Sequence, residues 1–68
     1  MKISARNVLK GKIVEVTKGA TTAHVRIDVG GTIVTASITN EAVDDLGLVK
    51  GMAASAVIKS SDVMVAVE

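Results

Sequence analysis

Four residues near the two ends of this chain share one chemical property. Ser4 and Arg6 lie in "KISARN", and Lys59 and Ser60 lie in "VIKSSD". Arginine and lysine only donate hydrogen bonds, and a serine hydroxyl can turn outward to donate. With the backbone N–H groups around them, they form a set of donors without acceptors. Such a set suits a tetrahedral oxyanion, because hydrogen bonds to ionised oxygens are short and strong. It also sorts anions by protonation. Hydrogen phosphate carries a proton near neutral pH and needs an acceptor, whereas a fully deprotonated dianion such as sulfate, molybdate or tungstate does not. Taken by themselves, Arg6 and Lys59 read more simply as solvated surface cations.

Other chemistry is poorly supplied. His24 is the one imidazole, and it falls on the polar face of a strand pattern, where a histidine is ordinarily a surface residue. No Ser-His-Asp arrangement appears. A zinc site needs several His, Cys or carboxylate ligands, and the chain has no cysteine and one histidine. There is no phosphate-cradling glycine loop of the Walker type. Asp44 and Asp45 are adjacent and are expected near the start of a short helix, where they would favour its dipole. No catalytic residue and no cation site is therefore expected, and the chain reads as a non-enzyme.

Charge is unevenly spread. Residues 1–26 carry six cations and one carboxylate, and residues 27–68 carry two cations and six carboxylates, so +5 and −4 leave a net +1. This pattern fits an anion-binding N-terminal strand, or lysines on solvated strand edges. Single-strand nucleic-acid binders stack bases on aromatic rings over a basic groove. This chain has no Phe, Tyr or Trp. An OB-type nucleic-acid-binding domain is thus the alternative reading, disfavoured by the missing rings.

The elements that must position these residues read as strands. Thr22 to Val29 alternates, with Ala23, Val25, Ile27 and Val29 on one face and Thr22, His24, Arg26 and Asp28 on the other. Gly30-Gly31 reads as a tight hairpin turn. Ile33 to Thr39 returns, with Val34, Ala36 and Ile38 on the apolar face. Val8 to Thr17 is β-branched and reads as one long strand, in which Gly11 marks a bulge or bend. "KGAT" at 18–21 and "VKGM" at 49–52 are turns. A short helix is expected after Thr39 or Asn40, ending at Gly47. Ala53 to Lys59 and Val63 to Val67 are expected as the last two strands. The order is that of an all-β, five-stranded, OB-like Greek-key barrel with one short helix between its third and fourth strands.

A chain of 68 residues without disulfides or aromatic rings builds a small core. The remaining stability is expected from assembly into an oligomer. "VMVAV" at 63–67 is apolar on both faces, although one face of a small antiparallel sheet is usually wet. One of its faces is therefore expected to meet another subunit. No signal peptide pattern and no apolar run of membrane-spanning length appears, so a cytoplasmic protein without membrane contact is expected.

Four stretches in register, "ISARN", "LKGKIVEV", "SITNEAVDDLGLVKGM" and "VIKSSDVMV", together resemble the molbindins, the small molybdenum-pterin-binding (Mop) proteins. The likeness runs from Met1 to about Val67, so residues 1–68 are expected to be a single Mop domain. It implies a barrel of the OB type, assembled as a homohexamer built as a trimer of dimers. It implies binding of molybdate or tungstate at subunit interfaces, for storage or homeostasis. The family's "S-A-R" element falls on Ser4, Ala5 and Arg6, and its "K-S/A" element on Lys59 and Ser60. The resemblance also implies a second class of oxyanion site, for which residues around Ala20 to Thr22 are the candidates. No pterin is expected, because the chain has no ring to stack one.

Overall fold

The computed structural model describes residues 1–68. Four strands form one curled antiparallel sheet in the order β3-β2-β1-β4: β1 is Asn7–Lys18, β2 Thr22–Asp28, β3 Ile33–Thr39 and β4 Ala53–Ile58. Helix α1, Asn40–Leu46, joins β3 to β4, and a 3-10 turn, Ser60–Asp62, follows β4. No helix is long and apolar enough to cross a membrane.

The β2–β3 hairpin is built as its sequence expects. Ala23, Val25 and Ile27 are buried and alternate with exposed residues. The turn is fixed by Asp28, whose Oδ1 accepts from the N–H groups of Gly30 and Gly31 at 3.0 and 2.7 Å. Both glycines have φ near +100°, at 101° and 98°, a region that costs a residue without a Cβ little.

β1 serves two partners in succession. Residues 7–12 pair with β4, and residues 12–18 pair with β2. The two pairings use opposite edges of β1. The β1–β2 register shifts between Ile13 and Glu15, so the bulge falls at Val14 rather than at Gly11. Gly11 has a different reason to be glycine. A Cβ there would stand 2.2 Å from the Asp28 carbonyl oxygen, so the two backbones approach closely.

Thr39 caps α1: its Oγ1 accepts from the Ala42 N–H at 3.0 Å. Gly47, at φ 64°, closes the other end, with its N–H on the Asp44 carbonyl at 3.1 Å. The helix has seven residues, so Asp44 and Asp45 lie in its last turn and not near its start. The dipole there disfavours them. Asp44 instead forms an ion pair with Lys18 at the end of β1. Val43 points inward and joins Ile13, Ala23, Val25, Ile27 and Ala56 in the core.

Only 6 of 68 residues are buried, which leaves a single chain short of core. The expected strand at Val63 to Val67 is not formed. Residues 63–68 carry no strand pairing, and all are exposed. Their composition favours an extended conformation. A strand also needs an edge to pair with, and this segment pairs with neither open edge of the sheet, β3 or β4.

Candidate oxyanion site

β1 begins where β4 ends. Asn7 is paired with Ile58 across the two antiparallel strands. Ser4, Ala5 and Arg6 immediately precede Asn7, and Lys59 and Ser60 immediately follow Ile58. Two segments more than fifty positions apart are thereby delivered to one end of the sheet. Arg6 and Lys59 each stand one residue beyond the last pair.

The junction is held by a side chain as well as by the ladder. Asn7 Nδ2 donates to the Ile58 carbonyl at 3.1 Å, a part-buried contact. Asn7 was not singled out from sequence. The signal was a lone amide, able to donate and accept, at the head of an otherwise β-branched strand. Beyond Ile58 the chain turns at once. Asp62 N–H donates to the Lys59 carbonyl at 2.9 Å, and Val63 N–H to the Ser60 carbonyl at 3.3 Å.

The electrostatics of this end are simple. The molecule has two ion pairs, Lys18–Asp44 and Arg26–Glu15, so neither Arg6 nor Lys59 is neutralised by a carboxylate. Ser4, Arg6, Lys59 and Ser60 are exposed, and Ala5 is half-buried. In one chain these groups form an open platform of donors, not an enclosed cavity. An anion held there would need a further wall to be stripped of water.

The turn at Ala20 to Thr22 lies at the opposite end of β1, so one chain does not bring it together with Arg6 and Lys59. It is tied to the start of α1: Asn40 N–H donates to the Thr21 carbonyl and Asn40 Nδ2 to the Gly19 carbonyl, each at 2.9 Å. Beside it, Thr17, Lys18, Gly19, Thr22 and His24 line a polar cleft of about 200 Å³. Its cation, Lys18, is already engaged by Asp44. No three His, Cys, Asp or Glu side chains converge anywhere in the molecule.

Comparison with known proteins bears on this geometry. Residues 3–65 match the TOBE domain. The chain is 52% identical over 66 residues to molybdenum-pterin-binding protein 3 of Clostridium pasteurianum, covering 96% of this chain and 97% of that protein. It superimposes on a molybdate-binding protein from Sporomusa ovata with a TM-score of 0.93 at 39% identity, over 97% of this chain and 98% of that one. It also superimposes on the cytoplasmic molybdate-binding protein ModG, solved with molybdate bound. There the TM-score is 0.90 at 46% identity, over 94% of this chain and 46% of that one.

Proposed function

This chain belongs to the TOBE-domain family and, within it, to the Mop-type molbindins, and we propose that it binds molybdate as an intact tetrahedral oxyanion. The observation that carries this reading is the β1–β4 register. Asn7 opposite Ile58 carries the segments Ser4–Arg6 and Lys59–Ser60 to the same end of the sheet, and neither cation has a carboxylate partner.

The roles follow from the chemistry of each group. Arg6 and Lys59 offset the dianion's charge. The Ser4 and Ser60 hydroxyls and backbone N–H groups at Ala5 and its neighbours donate to its oxygens. Only the serine hydroxyls in the set can accept, and with both turned to donate the site favours oxyanions without a proton at neutral pH. Tungstate has the same charge and shape as molybdate and is bound as well. Sulfate differs in size, so an enclosing wall must reject it.

That wall comes from a second copy of the chain. The single protomer leaves the donors exposed and buries few residues. The working unit is a homohexamer arranged as a trimer of dimers, each chain contributing one Mop domain over residues 1–68, with anions at its interfaces. The protein carries out no reaction. It stores or buffers the oxyanion in the cytoplasm and needs neither pterin nor nucleic acid.

Dialysis against molybdate, followed by elemental analysis of protein-bound molybdenum, tests this directly. A fixed molybdenum-to-chain ratio that falls with Arg6→Ala supports the reading, and no retained molybdenum overturns it.

A further inference from the structure

The donor end of the sheet holds a single acid. Segments 1–7 and 58–62 carry the cations Lys2, Arg6 and Lys59, and Asp62 as their one carboxylate. The other carboxylates lie elsewhere, and several are engaged. Glu15 pairs with Arg26, Asp44 pairs with Lys18, and Asp28 holds the Gly30-Gly31 turn. Glu41 and Asp45 lie on α1, and Glu68 is the last residue.

The fold makes no use of the Asp62 side chain. The turn after Ile58 runs over Lys59, Ser60, Ser61 and Asp62, and the Asp62 N–H closes it on the Lys59 carbonyl at 2.9 Å. An aspartate supports such a turn from the first position, where its carboxylate can accept from the N–H groups that follow. Here the first position is Lys59. Asp62 stands at the fourth, where only its backbone is used. Its carboxylate is exposed and enters none of the side-chain hydrogen bonds or ion pairs of the molecule.

The turn nonetheless fixes where this charge lies. The first and fourth Cα atoms of a four-residue turn are within about 7 Å of one another. Asp62 is therefore tied to Lys59, with Ser60 between them in the chain. A dianion drawn to Lys59 and Ser60 enters the field of the Asp62 carboxylate. At about 7 Å, repulsion between a dianion and a unit negative charge changes an equilibrium about five- to tenfold even in surroundings as polar as water.

We propose that Asp62 sets the affinity of the oxyanion site: its carboxylate opposes the bound dianion, offsets part of the attraction of Lys59, and so keeps the anion exchangeable. Asp62 acts by charge, without a contact to the anion. The inference rests on the function proposed above. It gives a physical reason for a carboxylate beside donors whose task is to hold an anion: a protein that stores an ion must also release it. Action by charge has a signature that altered shape lacks. The screening length falls from about 8 Å at physiological ionic strength to about 3 Å at about 1 M salt. An exposed carboxylate at this distance is felt at low salt and largely silenced at high salt.

Calorimetry with molybdate on the unmodified protein and on Asp62→Asn, which removes the charge and keeps the shape, tests this at low ionic strength and again in about 1 M sodium chloride. Asp62→Asn should bind molybdate about five- to tenfold more tightly at low salt, and the two proteins should converge at high salt. Asp62→Ser removes the same charge with a smaller side chain and should show the same gain. Asp62→Glu keeps the charge and should bind as the unmodified protein does. Equal or weaker binding by Asp62→Asn and Asp62→Ser at low salt, with molybdate still bound by the unmodified protein, overturns the role of Asp62 and leaves the site standing. A gain that persists undiminished at high salt also overturns it, because shape and not charge is then responsible. Absence of molybdate binding by all four proteins removes the function proposed above, and this inference with it.

Discussion

The side-chain amide of Asn7 donates to the Ile58 carbonyl at 3.1 Å and clamps the first residue of β1 to the last residue of β4. Arg6 directly precedes this clamp in the chain and Lys59 directly follows it. The spacing of the two cations therefore depends on a contact that neither of them makes.

Asn7→Ala should lower stability by about 1 kcal/mol, the net worth of one intramolecular hydrogen bond. It should also weaken molybdate binding, because the Arg6 and Lys59 segments lose their common anchor. Urea denaturation paired with calorimetry checks both. Unchanged affinity in a destabilised variant would restrict Asn7 to a structural role.

Arg6→Ala should leave the circular dichroism spectrum unchanged, since Arg6 is exposed and lies outside β1. Molybdate affinity should fall by about 2–5 kcal/mol, the range for losing one partner of a desolvated charge pair. Arg6→Lys should recover part of this, because the charge remains and the planar fork does not. Lys59→Ala should behave like Arg6→Ala.

Gly11→Ala is predicted to destabilise the fold without touching any donor. The new methyl would lie 2.2 Å from the Asp28 carbonyl oxygen, which is backbone and cannot swing aside. Overpacking of this kind typically costs about 1–3 kcal/mol. The melting temperature should drop, and addition of saturating molybdate should restore part of it, because a ligand bound only by the native state stabilises that state.

Thr39→Ala removes the helix cap and should cost about 1 kcal/mol. Asp44→Asn breaks an exposed ion pair in the last turn of α1, with a change of less than about 1 kcal/mol. Neither residue lies at the Arg6–Lys59 end of the sheet, so molybdate affinity should hold in both variants. A tenfold loss of affinity in either, measured by calorimetry, would place the anion elsewhere.

What the sequence disclosed depended on range. The Thr22–Thr39 hairpin was legible because its alternation and its Gly-Gly turn are local. The cap at Thr39 and the stop at Gly47 were legible for the same reason. The place of Asp44 and Asp45 was misread because a seven-residue helix leaves only one turn between its start and its end. The bulge at Val14 was not legible, since nothing in a β-branched run marks where its register shifts. The strand at Val63 to Val67 was read from composition, which records a preference for extended backbone but not the presence of an edge. The chemistry of Ser4, Arg6, Lys59 and Ser60 was visible in the residues, whereas the delivery of their two segments to one end of the sheet was implied only by the family resemblance. That depends on the Asn7–Ile58 register, a pairing across fifty-one positions.

Isothermal titration calorimetry of the unmodified protein with molybdate, then with sulfate in the same buffer, tests the central claim most directly. The predicted result is saturable molybdate binding at a fixed ratio to the chain, with little response to sulfate. Equal weak heats from both anions would contradict it, and would reduce Arg6 and Lys59 to an ordinary basic surface.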